Sequence, residues 1–216
     1  SEILRYQQYS VSTPTLTGLG EKKHLLSSKI TIETFIEDVV NHIIFENLNN
    51  IILVGHSFAG SVISGVADRL KDRIQKLIYF DAMILIDGQK PFDITPKETV
   101  EQRIELAKKF GNNISIPAPS ADAFGVFDIK KSLLLEEKLT PHPLSAFQSK
   151  LILKNEVGNG IPLSYIFCTK PVYKSLESSR EVVRKMKWPI FELNAGHDAM
   201  LTHPKETLNL LMKICN

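Results

Sequence analysis

A buried strand running straight into a helix is the feature that most limits what this chain can fold into. Residues 50–54 read Asn-Ile-Ile-Leu-Val and lead directly into Gly55-His56-Ser57-Phe58-Ala59-Gly60. A continuous apolar run of this kind suits a parallel strand covered on both faces. From Ser57 to about Leu70 the pattern turns helical and mostly apolar. Residues 76–80, Lys-Leu-Ile-Tyr-Phe, then form a second strand-like run. Two strands flanking one helix within about 30 residues make a βαβ unit, which implies a right-handed crossover and a parallel sheet.

The alternation continues along the chain. A helix is predicted where Ile32, Phe35, Ile36, Val39, Val40, Ile43 and Ile44 recur at i, i+3, i+4 and i+7, with Thr31 as its N-cap. Upstream, residues 9–12 are a short strand candidate ending at the Thr13-Pro14 turn signal, followed by a glycine-bearing loop over residues 16–20. Two late strands are predicted over residues 163–168 and 189–193, with Leu176, Val182, Val183 and Met186 on the helix between them. A final helix starts near Pro204 and runs through Leu208, Leu211 and Met212. This is an α/β pattern, and 216 residues fit a single domain over 1–216. Between the second and third buried strands lies an insert, about residues 87–161. It holds a capping-box signal, Thr95 to Glu98 with Pro96 in the first turn, on a helix that stops near Gly111. A Pro- and Ala-rich stretch follows at residues 116–119, then an amphipathic segment over residues 129–139. The insert reads as a cap folded over one edge of the sheet.

The strand-to-helix turn gives Ser57 chemical interest. Such a turn forces its central residue into strained dihedrals, needs small neighbours, and sets backbone N–H groups at a helix start beside the serine oxygen. The alternative is a serine that only caps the helix. The last position of the Gly-x-Ser-x-Gly pattern is Ala59, which is small enough to serve. Of six histidines, five have ordinary roles open to them: His24 in a lysine-bearing loop, His42 on a polar helix side, His56 beside the turn, His142 between two prolines, and His203 as a cap for the final helix. His197 differs, because Asn194-Ala195-Gly196-His197-Asp198 follows the last strand at the sheet edge that also carries Ser57. A histidine there can take the serine proton at neutral pH and return it. For the acid, the loop after the 163–168 strand has no carboxylate before Glu177. Asp198 sits too close to His197, which leaves Asp81 at the end of the 76–80 strand as the preferred candidate.

Bulk properties exclude other classes. The net charge is +2 with no basic run, so neither nucleic acid nor a membrane surface is indicated as partner. No apolar stretch approaches the roughly 20 residues of a membrane span, and no signal-peptide pattern opens the chain, so a cytoplasmic location is expected. Cys168 and Cys215 match neither a metal pattern nor a disulfide framework. No cofactor and no metal is called for, and a homodimer is left open.

With strand, turn, acid and histidine in hand, the chain resembles the α/β-hydrolase superfamily, and more narrowly the small bacterial carboxylesterases related to plant methylesterases and hydroxynitrile lyases. The matching stretches are residues 14–21, 53–66, 77–88 and 196–204, with Ala123-Phe124-Gly125-Val126 and residues 139–144 in the insert. The resemblance implies an α/β-hydrolase fold: a mostly parallel sheet with flanking helices and a cap insert. It also implies catalysis by Ser57, His197 and Asp81. The residues themselves place an oxyanion donor at the Phe58 N–H, let His56 either contact substrate or pack beside the turn, and let Phe124 and Phe127 of the cap either contact substrate in an apolar pocket or form the cap's own small core. The resemblance further implies a preceding strand and a His-Gly loop carrying a second oxyanion donor. The sequence begins after both, with residues 1–7 expected in the following helix. Roughly 20 to 30 family residues would then be missing from an N-terminally incomplete chain, and a chain this short would be a poor catalyst. Hydroxynitrile lyases carry a lysine directly after the catalytic histidine; Asp198 stands there, which disfavours lyase chemistry. The expected function is a serine hydrolase of a small carboxylic ester. A non-catalytic small-ligand-binding homologue is the alternative.

Overall fold

The computed structural model describes residues 2–6 and 9–215. It opens with a short helix α1 (Glu2–Tyr6); Ser1 and Gln7, expected in the same helix, lie outside the described residues. Residues 9–12 do not form a strand. The Arg5 guanidinium holds the Val11 carbonyl at 3.0 Å, and no neighbouring strand among the described residues offers the segment a ladder. A 3₁₀ turn (Gly20–Leu25) leads to α2 (Ile32–Phe45), whose N-cap is Thr31. The Thr31 N–H donates to Thr34 Oγ1 at 3.1 Å, and Ile32, Phe35, Ile36, Val39, Val40 and Ile43 form the buried stripe. Ile44, expected in that stripe, is 49% exposed at the helix end.

The βαβ unit is β1 (Ile51–Ser57), α3 (Ala59–Arg69) and β2 (Ile74–Ala82). The insert follows, with α4 (Lys97–Phe110), a two-stranded antiparallel ribbon of β3 (Ser115–Ile116) and β4 (His142–Pro143), and helices α5 (Ile129–Lys138) and α6 (Leu144–Gln148). The expected capping box is not made. The Thr95 hydroxyl donates instead to the Pro91 carbonyl at 2.8 Å, Pro96 takes the N-cap position, and α4 starts at Lys97. Gly111 ends α4 as expected. The chain then returns through β5 (Leu163–Cys168), α7 (Glu177–Lys185), β6 (Ile190–Leu193), α8 (Ala199–Thr202) and α9 (Pro204–Cys215).

The main sheet is parallel throughout, in the order β1-β2-β5-β6. Successive residues of β2 and β5 feed opposite cores, as the two-residue period of a strand requires. Leu77, Tyr79, Tyr165 and Phe167 pack with α2, α3 and α7, whereas Ile78, Phe80, Ile166 and Cys168 pack with α8 and α9. The expectation that β1 is covered on both faces holds on one side only. Leu53 packs against the α2–α3 core, but Ile52 and Val54 are 36% and 45% exposed. The α9 layer reaches β2, β5 and β6 and leaves the far face of β1 open. No helix among the described residues is long and apolar enough to cross a membrane.

Candidate active site

All four strands of the main sheet end at one rim, and the predicted residues meet there. From Ile52 opposite Lys76, β1 and β2 run in regular register through His56 and Phe80, then shift so that Ser57 pairs with Ala82. The shift follows from the turn itself: Ser57 has φ +55°, in the left-handed region that costs a non-glycine residue free energy. The Met83 N–H donates to the Ser57 carbonyl at 2.8 Å and holds the strained residue in place. Gly60 makes the turn sterically feasible. A Cβ there would lie 2.4 Å from the Met83 carbonyl oxygen, so only glycine lets α3 start this close to β2.

His197 comes off β6 on the short loop that precedes α8. Its Nε2 accepts the Ser57 Oγ–H at 2.9 Å, and its Nδ1–H donates to Asp81 Oδ2 at 2.7 Å. Asp81 is fully buried and also has a left-handed φ, +38°. On its far side the Tyr165 hydroxyl accepts the Ala82 N–H at 2.9 Å and donates to the Ala82 carbonyl at 2.7 Å, which pins the strand end. An imidazole so placed can accept a proton from Ser57 while a carboxylate stabilises the resulting cation. Asp198 makes no part of this chain of bonds; burial raises its carboxyl while the neighbouring His197 ring lowers it.

Three residues complete the surroundings of His197, and sequence reasoning did not single out two of them. The guanidinium of Arg180, 2% exposed on α7, donates to Asp81 Oδ1 at 2.8 Å. Tyr173 stacks on the His197 ring at 4.3 Å between centroids. Arg180 left a trace in the sequence, since Leu176, Arg180 and Val183 share an i, i+4, i+7 stripe. A charge inside an apolar stripe needs a buried partner. Tyr173 left none, being one aromatic in a loop. The third is His56, expected to contact substrate. It lies beside the His197 ring, 4.4 Å between centroids, and its Nε2–H donates to the His197 carbonyl at 3.0 Å. Burial, and then the nearby His197 charge, push His56 down to about 3, so it stays neutral.

A narrow cleft of about 290 Å³, counting its open mouth, reaches Ser57 and Phe58. Its walls come from the sheet rim (Met83), from the insert (Thr95, Arg103, Phe147) and from the loop after β5 (Tyr173, Ser175). Phe58, with helical dihedrals, sits where the turn enters α3, so its N–H belongs to the helix start. Phe124 stacks over His197 at 5.8 Å. Phe127 is 70% exposed and is not one of the residues lining this cleft. The remaining histidines serve elsewhere. His42 Nε2 bonds the Ser12 hydroxyl, and His142 is half-buried among Phe35, Phe58 and Phe147.

No protein-family model matches the chain. A carbendazim-hydrolysing esterase of Nocardioides sp. (strain SG-4G) is 32% identical over 217 aligned positions, covering 94% of this chain and 87% of the relative. Among solved structures, an extracellular α/β-hydrolase from a Paenibacillus species, described as sharing structural and functional homology with tobacco salicylic acid binding protein 2, superposes with a TM-score of 0.85. It is 28% identical, with 99% of this chain and 90% of that one covered. A methylesterase from Arabidopsis superposes with a TM-score of 0.69 at 20% identity, over 98% and 89% of the two chains, which speaks for the fold alone. With its parallel sheet, its serine at a strained strand-to-helix turn and these relatives, the chain belongs to the α/β-hydrolase superfamily, in the esterase branch related to the plant methylesterases.

Proposed function

We propose that the protein is a serine hydrolase that cleaves a small carboxylic ester through an acyl-enzyme on Ser57. The observation that carries this reading is the unbroken run of bonds from Ser57 Oγ to His197 and on to Asp81. Ser57 attacks the ester carbonyl as His197 Nε2 takes its proton, and the protonated imidazole then delivers that proton to the departing alcohol oxygen. Water, deprotonated by the same nitrogen, attacks the acyl carbon; the bond to Ser57 Oγ breaks, the imidazolium returns its proton to that oxygen, and the acid leaves. Asp81 keeps Nδ1 protonated and steadies the imidazolium. The Phe58 N–H, at the positive end of α3, donates to the carbonyl oxygen as it gains charge.

The insert, about residues 87–161, serves in this reading as a cap within a single domain over 1–216. Support comes from Thr95, Arg103 and Phe147, which wall the cleft at Ser57, and from the Ala107, Ile116, Leu144 and Phe147 side chains, which join the same core as Phe35 and Leu77. A non-catalytic ligand-binding role is the rival. Labelling by a fluorophosphonate discriminates, because only an activated serine reacts. Ser57→Ala should abolish both labelling and turnover of a short-chain aryl ester. Unchanged turnover in that variant would overturn the proposal.

A further inference from the structure

One cation in the cleft has no counter-ion among the described residues. Arg103 projects from α4 into the space it shares with Ser57, Thr95, Tyr173 and Ser175. Its Nη1 is buried and has no hydrogen-bond partner among the described residues. The guanidinium carbon lies 4.9 Å from the centre of the Phe147 ring, a contact that orients the group without satisfying its N–H donors. The sequence of α4 explains why no neighbour on the helix neutralises it. Positions three and four away are Thr99, Val100, Leu106 and Ala107, whereas Glu98, Glu101 and Glu105 fall at spacings that do not face Arg103. An unpaired guanidinium is expensive to desolvate, and a protein that keeps one beside a nucleophile leaves its donors for something that enters.

Resting on the hydrolase reading above, we infer that the substrate carries a carboxylate in addition to its ester, and that Arg103 is the residue that receives it. A planar fork of donors fits the two oxygens of a carboxylate. Thr95, whose hydroxyl is already donated to the Pro91 carbonyl, has no proton to add for a larger oxyanion. The narrowness of the cleft restricts the class further, to short half-esters in which a few carbons separate ester from acid.

The test compares monomethyl succinate with dimethyl succinate, in the wild type and in Arg103→Met and Arg103→Lys. Turnover of the neutral diester reports whether each variant has folded. In Arg103→Met the preference for the half-ester, as a ratio of kcat/KM values, should fall about 10- to 100-fold, the range of a charge-assisted hydrogen bond. Arg103→Lys, which keeps the charge and loses the fork, should recover only part of it. Calorimetric binding of succinate supplies a readout independent of chemistry, and Arg103→Met should weaken it at least tenfold. Equal succinate affinity in wild type and Arg103→Met, or an equal loss on both esters, would overturn the inference. Arg103-dependent succinate binding without turnover of either ester would sink the hydrolase reading and leave the carboxylate site standing.

Discussion

Asp81 answers two donors with two different oxygens. Oδ2 accepts from His197, while Oδ1 accepts from Arg180 at 2.8 Å and from the Cys168 N–H at 3.4 Å. An amide in its place has one oxygen only. In Asp81→Asn that oxygen should turn to Arg180, whose N–H groups can do nothing but donate, and the amide N–H₂ should face His197. The imidazole must then carry its proton on Nε2, where it can no longer accept from Ser57. A fall in kcat of about 10⁴ is expected, measured on any ester the wild type cleaves. Arg180→Leu acts on stability instead. It leaves a fully buried carboxylate facing an apolar side chain, and urea denaturation should show a loss of about 3–5 kcal/mol. The same change removes the Arg180–Glu177 salt bridge, which at 3.5 Å to a half-exposed carboxylate adds little to that loss.

The elements around the site differ in how openly the sequence announces them. β5 occupies the predicted residues 163–168, because a run of apolar residues between a proline and a polar loop has only one way to be a buried strand. α2 and α9 were legible from apolar periodicity and a start signal. Residues 9–12 misled because a short run stopped by a turn signal describes only the segment itself, whereas a strand also needs a partner ladder. The Thr95 to Glu98 signal misled because a nearer carbonyl, that of Pro91, captured the threonine hydroxyl. The meeting of Ser57, His197 and Asp81 could be read because strand ends in a parallel sheet share an edge, so position along an element translates into position in space. Arg103 and Tyr173 could not, since their relevance depends on how the insert and the loop after β5 fold back, which no local pattern encodes. The junction of β1, α3 and β2 gives the sharpest element-level test. Gly60→Ala forces a methyl group into the Met83 carbonyl, so helix and strand must part. A destabilisation of at least about 1–3 kcal/mol is expected by thermal or urea unfolding, with loss of fluorophosphonate labelling at Ser57.

For the molecule as a whole, acid should be the main weakness. Burial holds His56 down to about 3 and His142 down to about 4, whereas in the unfolded chain both titrate near the ordinary value of about 6.5. Between those limits the unfolded chain binds more protons than the folded one, so stability rises with pH across the window and is lost as pH falls from about 6.5 toward about 4. Each histidine contributes up to about 1.4 kcal/mol per pH unit there. Urea midpoints at about pH 7 and about pH 5 measure the slope, and His142→Phe should flatten it by about half.

The alternation along β2 and β5 has an implication for engineering. Because the two faces of the sheet pack separately, the chamber beneath α9 takes in none of the side chains that line the cleft at Ser57. Repacking Leu210, Leu211 and Ile214 should therefore harden the scaffold without touching the walls of the cleft.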